Sequence, residues 1–520
     1  MTEIGEALQL GFAALQRGDA RAASDYCRQA MSLDPRRPEA HFLVGLVALE
    51  MNDLKTAVSA FGSVTKLEPK HAAAWAQLAR IFLRLGQPAR AEAAAAEAAK
   101  AGVSDAAVED LLGVVASLLG DQRLAKDWYA RALAHAPDRP AYGVNLATAL
   151  MFLGENDEAA RVVGEVLARH GDIAQADWLL SSLQKADDAA RAETLLQKAN
   201  AARDAQSKAF YAYAAGKEFE DCGAWARAFD AFAAGAQAKR AVVDYDEAAE
   251  EAFFQALHET FDAGWASESR LGHDDPSPIF VVGQPRTGTT LVERIITAHS
   301  DVESAGELQQ FALSVRRLTG AVGERHSAQA VRAARDVDCA ALGREYLRAS
   351  KPMRSGAPRF VDKLPGNYLN IPLILAALPN ARIVHLRRAP MDACFASYKQ
   401  LFAEAYFHSY DQVEMARHFV RYARLMNHWR EVFPGRFLDI DYEAVAADVE
   451  PNARVLIEFL GLPWQDACLE FHRQDASVAT ASAVQVREKA HTRSIGRWRR
   501  YESQLAPMRA VIEASGLRVG

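Results

Sequence analysis

The chain has 520 residues, half of them apolar and 24% charged, with a net charge of −7. That length allows two or three cores, and the acidic balance excludes bulk attraction to nucleic acid, though not a local basic cleft. The five cysteines, Cys27, Cys222, Cys339, Cys394 and Cys468, are scattered and form no CxxC pair. They read as reduced thiols with no structural zinc. The opening MTEIGEALQL has neither the basic region nor the apolar run of a signal peptide. No stretch approaches the ~18 uninterrupted apolar residues of a spanning helix. A cytoplasmic location is the expectation.

In the first half, Gly18-Asp19, Asn52-Asp53, Gly86-Gln87, Gly120-Asp121 and Gly154-Glu155 recur every 34 residues. Each pair sits between two helix-like segments, as a turn does. Alanine follows each turn by five residues, at Ala23, Ala57, Ala91, Ala125 and Ala159. Small residues precede each turn by seven, at Gly11, Gly45, Ala79, Gly113 and Ala147, where helices can cross closely. Prolines at 35, 69 and 137 close helix pairs. The pattern blurs near Asp188 and returns at Gly223, Ala228 and Phe232. This resembles the tetratricopeptide repeat. The resemblance implies six or seven helix pairs over residues 1–240, stacked as a right-handed all-α solenoid that binds a protein or peptide. Residues 241–274 read as a linker helix.

From Pro278 the pattern changes. IFVVG, RFVDK, ARIVHLRR and GRFLDIDYE read as short strands alternating with helices. That alternation predicts an α/β domain over 275–520 with a parallel sheet and ligands at the strand C-termini. Arg286, Lys363, Arg387 and Arg388 fall there, a set of cations suited to a ligand with several phosphates. The segment PIFVVGQPRTGTTLVERIITAHS reads as strand, Gly/Thr-rich turn and helix, a ready anion site. Its spacing is P-loop-like, but Thr289 stands where a Walker lysine would be, which disfavours ATP or GTP chemistry. His408, His418 and His428 fall ten apart, so no metal site is expected from their spacing.

Three motifs in this half resemble the sulfotransferase family that uses 3′-phosphoadenosine-5′-phosphosulfate (PAPS), nearest the tyrosylprotein-sulfating branch and its bacterial relatives. They are Pro285-Arg286-Thr287-Gly288-Thr289-Thr290, then RRAPMDACFASYKQLF from Arg387, then SIGRWRRYESQL from Ser494. The resemblance implies that Arg286, Thr287, Gly288, Thr289 and Thr290 hold the 5′-phosphosulfate. It makes Lys363 a second catalytic cation beside Arg286. Glu307, 21 residues after Arg286, becomes the general base, with His299 a structural helix-end residue. Arg388 or its rival Arg387 would grip the 3′-phosphate. The family's serine position, eight after Arg388, holds Ala396, so either Ser397 serves or the arginines act alone. Tyr442, Ser482 and Arg497 are implied as further donor contacts, the last two in a closing segment.

The expected protein is thus multidomain: a solenoid followed by a sulfotransferase domain. It would sulfate a hydroxyl on a peptide, protein or glycan, needing PAPS but no metal, nucleic acid or membrane span. The alternatives are a non-catalytic repeat scaffold with a degenerate nucleotide module, and a kinase on the same framework.

Overall fold

The computed structural model describes residues 2–321, 326–403, 405–480 and 483–519. Fourteen helices precede the first strand's linker. They are α1 (Glu3–Gln16), α2 (Ala20–Leu33), α3 (Pro38–Glu50), α4 (Leu54–Leu67), α5 (Ala72–Arg84), α6 (Pro88–Lys100), α7 (Ala106–Leu118) and α8 (Gln122–His135). There follow α9 (Pro140–Leu153), α10 (Asn156–His170), α11 (Ala174–Leu183), α12 (Ala190–Ala201), α13 (Ala205–Asp221) and α14 (Trp225–Arg240). The repeated turn explains itself locally. Gly18, Asn52, Gly86, Gly120, Gly154 and Gly223 all have positive φ, the left-handed conformation that stops a helix. The aspartate after the first, second and fourth of these turns caps the next helix. Asp19, Asp53 and Asp121 accept from the N–H groups of Ala22, Thr56 and Leu124 at 2.9–3.0 Å.

Contact divides the chain into two compact units, Met1–Leu146 and Ala147–Gly520. In the first unit the small residues work as the spacing predicts. A Cβ built on Gly45 would lie 2.6 Å from the Phe61 ring, and one on Gly113 would lie 2.5 Å from Tyr129. Ala23, Ala57, Ala91 and Ala125 are wholly buried. The glycine-over-aromatic contact recurs in the second unit, with Gly216 against Phe232.

The second unit holds a five-stranded, all-parallel sheet of order β2-β3-β1-β4-β5. Its strands are β1 (Pro278–Gly283), β2 (Val302–Ser304), β3 (Arg359–Asp362), β4 (Arg382–Arg387) and β5 (Leu438–Asp441). The sequence reading has four of them; β2 is three residues long and carries no alternation to read. Helices α15 (Glu247–Thr260) and α16 (Ala263–Ser267) precede the sheet. Between its strands lie α17 (Thr289–Thr297), α18 (Gln310–Thr319), α19 (Ala328–Ala333), α20 (Cys339–Ser350), α21 (Ile371–Ala377), α22 (Pro390–Tyr398) and α23 (Gln412–Val432). Alternate β1 residues face opposite cores. Ile279 and Val281 pack with Ile295, Leu456 and Ile457, whereas Phe280 and Val282 join a core shared with α12 to α15 and α23. Repeat-type helices α12, α13 and α14 therefore share one apolar core with the sheet. No helix among the described residues is long and apolar enough to cross a membrane.

Candidate active site at the sheet edge

Strand β1 ends at Gly283, and the chain turns through Arg286 and Gly288 at φ 64° and 94° before α17 starts at Thr289. Gly288 has a second constraint, since a Cβ there would lie 2.4 Å from the Tyr442 ring. The Thr287 hydroxyl donates to the Gln284 carbonyl at 2.7 Å and tightens the turn. Thr287, Thr289 and Thr290 are buried at the head of α17, where helix N–H groups and dipole favour an anion. The Arg286 side chain donates to Gln485 Oε1 at 2.9 Å. Burial, then Arg388, pull its guanidinium down to about 10, still cationic at neutral pH.

Lys363 follows β3 and is 1% exposed. Its backbone N–H donates to the Gly306 carbonyl at 2.9 Å, and its ammonium pairs with Glu307. The structure thus brings together two residues 56 apart in sequence. Asp362 holds this loop: its carboxyl accepts from Tyr346 Oη at 2.9 Å and from the Leu308 and Leu364 N–H groups. Burial raises that carboxyl to about 7. A further buried carboxyl, Glu293 on α17, accepts from Ser304 Oγ at 2.6 Å and is pushed up by burial. It escapes sequence reading because it looks like one more helix-surface acid.

The two arginines at the end of β4 part company. Arg387 is half exposed and pairs with Asp441 on β5 at 2.8 Å. Arg388 turns inward, donating to the Arg286 carbonyl at 2.7 Å and the Ser494 carbonyl at 2.9 Å, and lies 4.8 Å over the Tyr442 ring. Its Nε is buried without a partner, a donor that a bound anion would satisfy. Ser397 is fully buried and donates to the Pro285 carbonyl at 3.3 Å, so it touches the phosphate-type turn from behind. Tyr442 and Ser494 exchange a 2.6 Å hydrogen bond. Asp392 accepts from the Gly496 and Trp498 N–H groups and pins residues 496–498 to α22. Ser482 lies outside the described residues. Arg497 is placed against Glu220 of α13, with Nη2 to Oε2 at 2.9 Å. His299 is buried with Nε2 2.9 Å from the Pro463 carbonyl, as a helix-end residue would be.

Glu250, His408 and His418 bring one potential ligand atom each within 4.8 Å of one another, a cluster that spacing did not reveal. His408 sits on the short turn Phe407–Tyr410, and Glu250 comes from α15. The two rings stack at 3.5 Å and 9°, and both Nδ1 atoms approach Glu250 Oε1, His408 at 3.5 Å and His418 at 2.9 Å. Arg421 already holds Glu250 Oε2 at 2.6 Å. The cluster is a buried ion network that reaches the turn through His418 and Gln284, 3.2 Å apart.

Residues 278–466 match a family model described as the sulfotransferase family, and residues 48–114 match a tetratricopeptide-repeat model. An "Uncharacterized protein" of Aquifex aeolicus (strain VF5) is 29% identical over 378 residues, covering 71% of this chain and 49% of that one. The chain thus spans about half the length of that relative. A "Putative protein-tyrosine sulfotransferase" of Caenorhabditis briggsae is 25% identical over 229 residues, covering 42% of this chain and 80% of that one. Among solved structures, a thermophilic tetratricopeptide-repeat protein of Thermus thermophilus is 20% identical. It covers 35% of this chain and 98% of that one at a TM-score of 0.31, too low to carry an argument here. The C-terminal region is similar to sulfotransferases, and the N-terminal region carries tetratricopeptide repeats.

Proposed function

We propose that residues 275–520 form a sulfotransferase domain that uses PAPS, joined through residues 241–274 to a repeat solenoid over 1–240. One observation carries it: the Arg286–Arg388 contact and the Lys363–Glu307 pair lie beyond the C-terminal ends of the adjacent parallel strands β1, β3 and β4. The donor supplies the activated sulfuryl group. The Gly288–Thr290 turn and α17 hold its 5′-phosphate end, with Thr287 bracing the turn. Arg388 faces the 3′-phosphate, with Ser397 bracing and Tyr442 beside it, while Arg497 belongs to the segment that closes over it. Arg387, taken up by Asp441, has no part in that grip.

In the transfer, the acceptor oxygen bonds sulfur as the sulfur–phosphate oxygen bond breaks. Negative charge collects on the departing phosphate oxygen, and Arg286 and Lys363 stabilise it. Glu307 takes the acceptor's proton. The acceptor is a hydroxyl on a peptide or protein bound by the repeats, in the cytoplasm. Incubation with ³⁵S-labelled donor and tyrosine-containing peptides tests this. Label should pass to peptide, resist EDTA and vanish in Glu307→Gln. Label that stays on the donor across peptide, glycan and phenol acceptors would reject it.

A further inference from the structure

The closing segment is held by helices that belong to the repeat pattern, not only by the sheet domain. Glu220, on α13, is 7% exposed. Its carboxylate accepts from Lys399 Nζ at 2.8 Å, Arg497 Nε at 3.1 Å and Tyr501 Oη at 2.9 Å, and Arg497 Nη2 lies 2.9 Å away. Lys399 directly follows α22, the helix after Arg388, and Arg497 and Tyr501 lie in the closing segment. Apolar contacts cover this centre. Trp225 meets Tyr501 edge-on at 5.9 Å, Phe229 packs on Tyr398 and Tyr501, and Tyr213 Oη donates to the Tyr398 carbonyl at 3.0 Å. The end of α9 anchors the upstream part of the same C-terminal stretch. The Phe152 carbonyl accepts from Val478 N–H at 2.8 Å and from Arg487 at 3.2 Å. Gln485, between those anchors, accepts a hydrogen bond from Arg286.

We propose that Glu220 is a positioning residue for the donor site: it fixes Arg497, Tyr501 and Lys399 so that the closing segment is ordered before donor arrives. The role follows from charge. Lys399 and Arg497 are cations brought together near Arg286, and without a carboxylate between them they repel. Burial, only partly offset by Glu220, already holds Lys399 down to about 8. With Glu220 in place the cations are neutralised and the segment is tied to α13, so ordering it is not a cost of binding. The inference rests on reading 494–505 as the segment that closes over the donor.

The test is hydrogen–deuterium exchange of the full chain, wild type against Glu220→Gln, without ligand and with adenosine 3′,5′-bisphosphate. In the variant, amides of 494–501 should exchange at least tenfold faster without ligand, while β1 and β4 keep their wild-type rates. Bisphosphate should slow them again, with affinity about tenfold weaker, and Glu220→Asp should fall between. Should Glu220→Gln not fold, Arg497→Gln breaks the same tie while leaving Glu220 with Lys399 and Tyr501, and the same exchange is expected. Wild-type exchange at 494–501 in the folded variant would overturn the proposal. Absence of bisphosphate binding by wild type would instead reject the donor reading, whatever the exchange shows.

Discussion

Ala57 in the repeat helices and Lys363 at the sheet edge are equally hidden from solvent, yet they depend on sequence in opposite ways. Ala57 repeats a task that Ala23, Ala91 and Ala125 also perform: it lets two neighbouring helices approach. It shares a core with nearby repeat helices, between Ala48 and Val115. Lys363 has one task, and its partner Glu307 comes from another loop. Arg388 likewise meets Arg286 and Ser494, each more than 100 residues away. A repeat spreads its stability over many equivalent contacts, whereas the sheet edge rests on a few contacts between residues far apart in sequence.

The largest expected effect lies on the single-use side. Glu307→Gln should lower transfer about 10²- to 10⁴-fold, with bisphosphate affinity within twofold of wild type by calorimetry. A proportional loss of affinity would mean Glu307 holds the fold of the site instead. Next comes the division between the paired arginines. A hydrogen-bonded charged group contributes about 1.5–3 kcal/mol, so Arg388→Ala should weaken bisphosphate binding by about ten- to a hundredfold. Arg387→Ala, already tied to Asp441 and half in solvent, should change it less than twofold.

On the repeat side, Gly113→Val drives a side chain into the Tyr129 ring and should cost about 1–3 kcal/mol of stability in denaturant melts. Bisphosphate affinity should not move, and a fall would erase the contrast between shared and single-use residues. The smallest effect is a slope. Burial raises Asp362 to about 7 in the fold, above the ~3.9 of an unfolded aspartate. A group raised on folding contributes fully below its unfolded value and loses that contribution as pH rises through the folded one. Wild type should therefore lose stability between about pH 4 and 7 relative to Asp362→Asn, and parallel pH curves would contradict that assignment.

The same contrast sets what could be read without coordinates. The turn glycines, the buried alanines and the phosphate-type turn are local, so spacing displays them. The order of the sheet is not local, and β2 is too short to show a period. Glu220 is invisible for another reason: in sequence it is one acid on a repeat helix, and only the tertiary fold sets Lys399, Arg497 and Tyr501 around it. The Glu250–His408–His418 network is hidden likewise, because ten-residue spacing on one helix says nothing about a turn folding back. Arg387 and Arg388 are adjacent and alike in sequence. Their separation depends on Asp441 lying beside Arg387 in the β4–β5 register.

The most direct measurement is calorimetric titration of the full chain with adenosine 3′,5′-bisphosphate, wild type beside Arg286→Ala. The account predicts micromolar binding by wild type, lost in the variant while its melting temperature stays close to wild type. A well-folded wild type that binds no bisphosphate would contradict the donor site, and with it the sulfotransferase reading of the sheet edge.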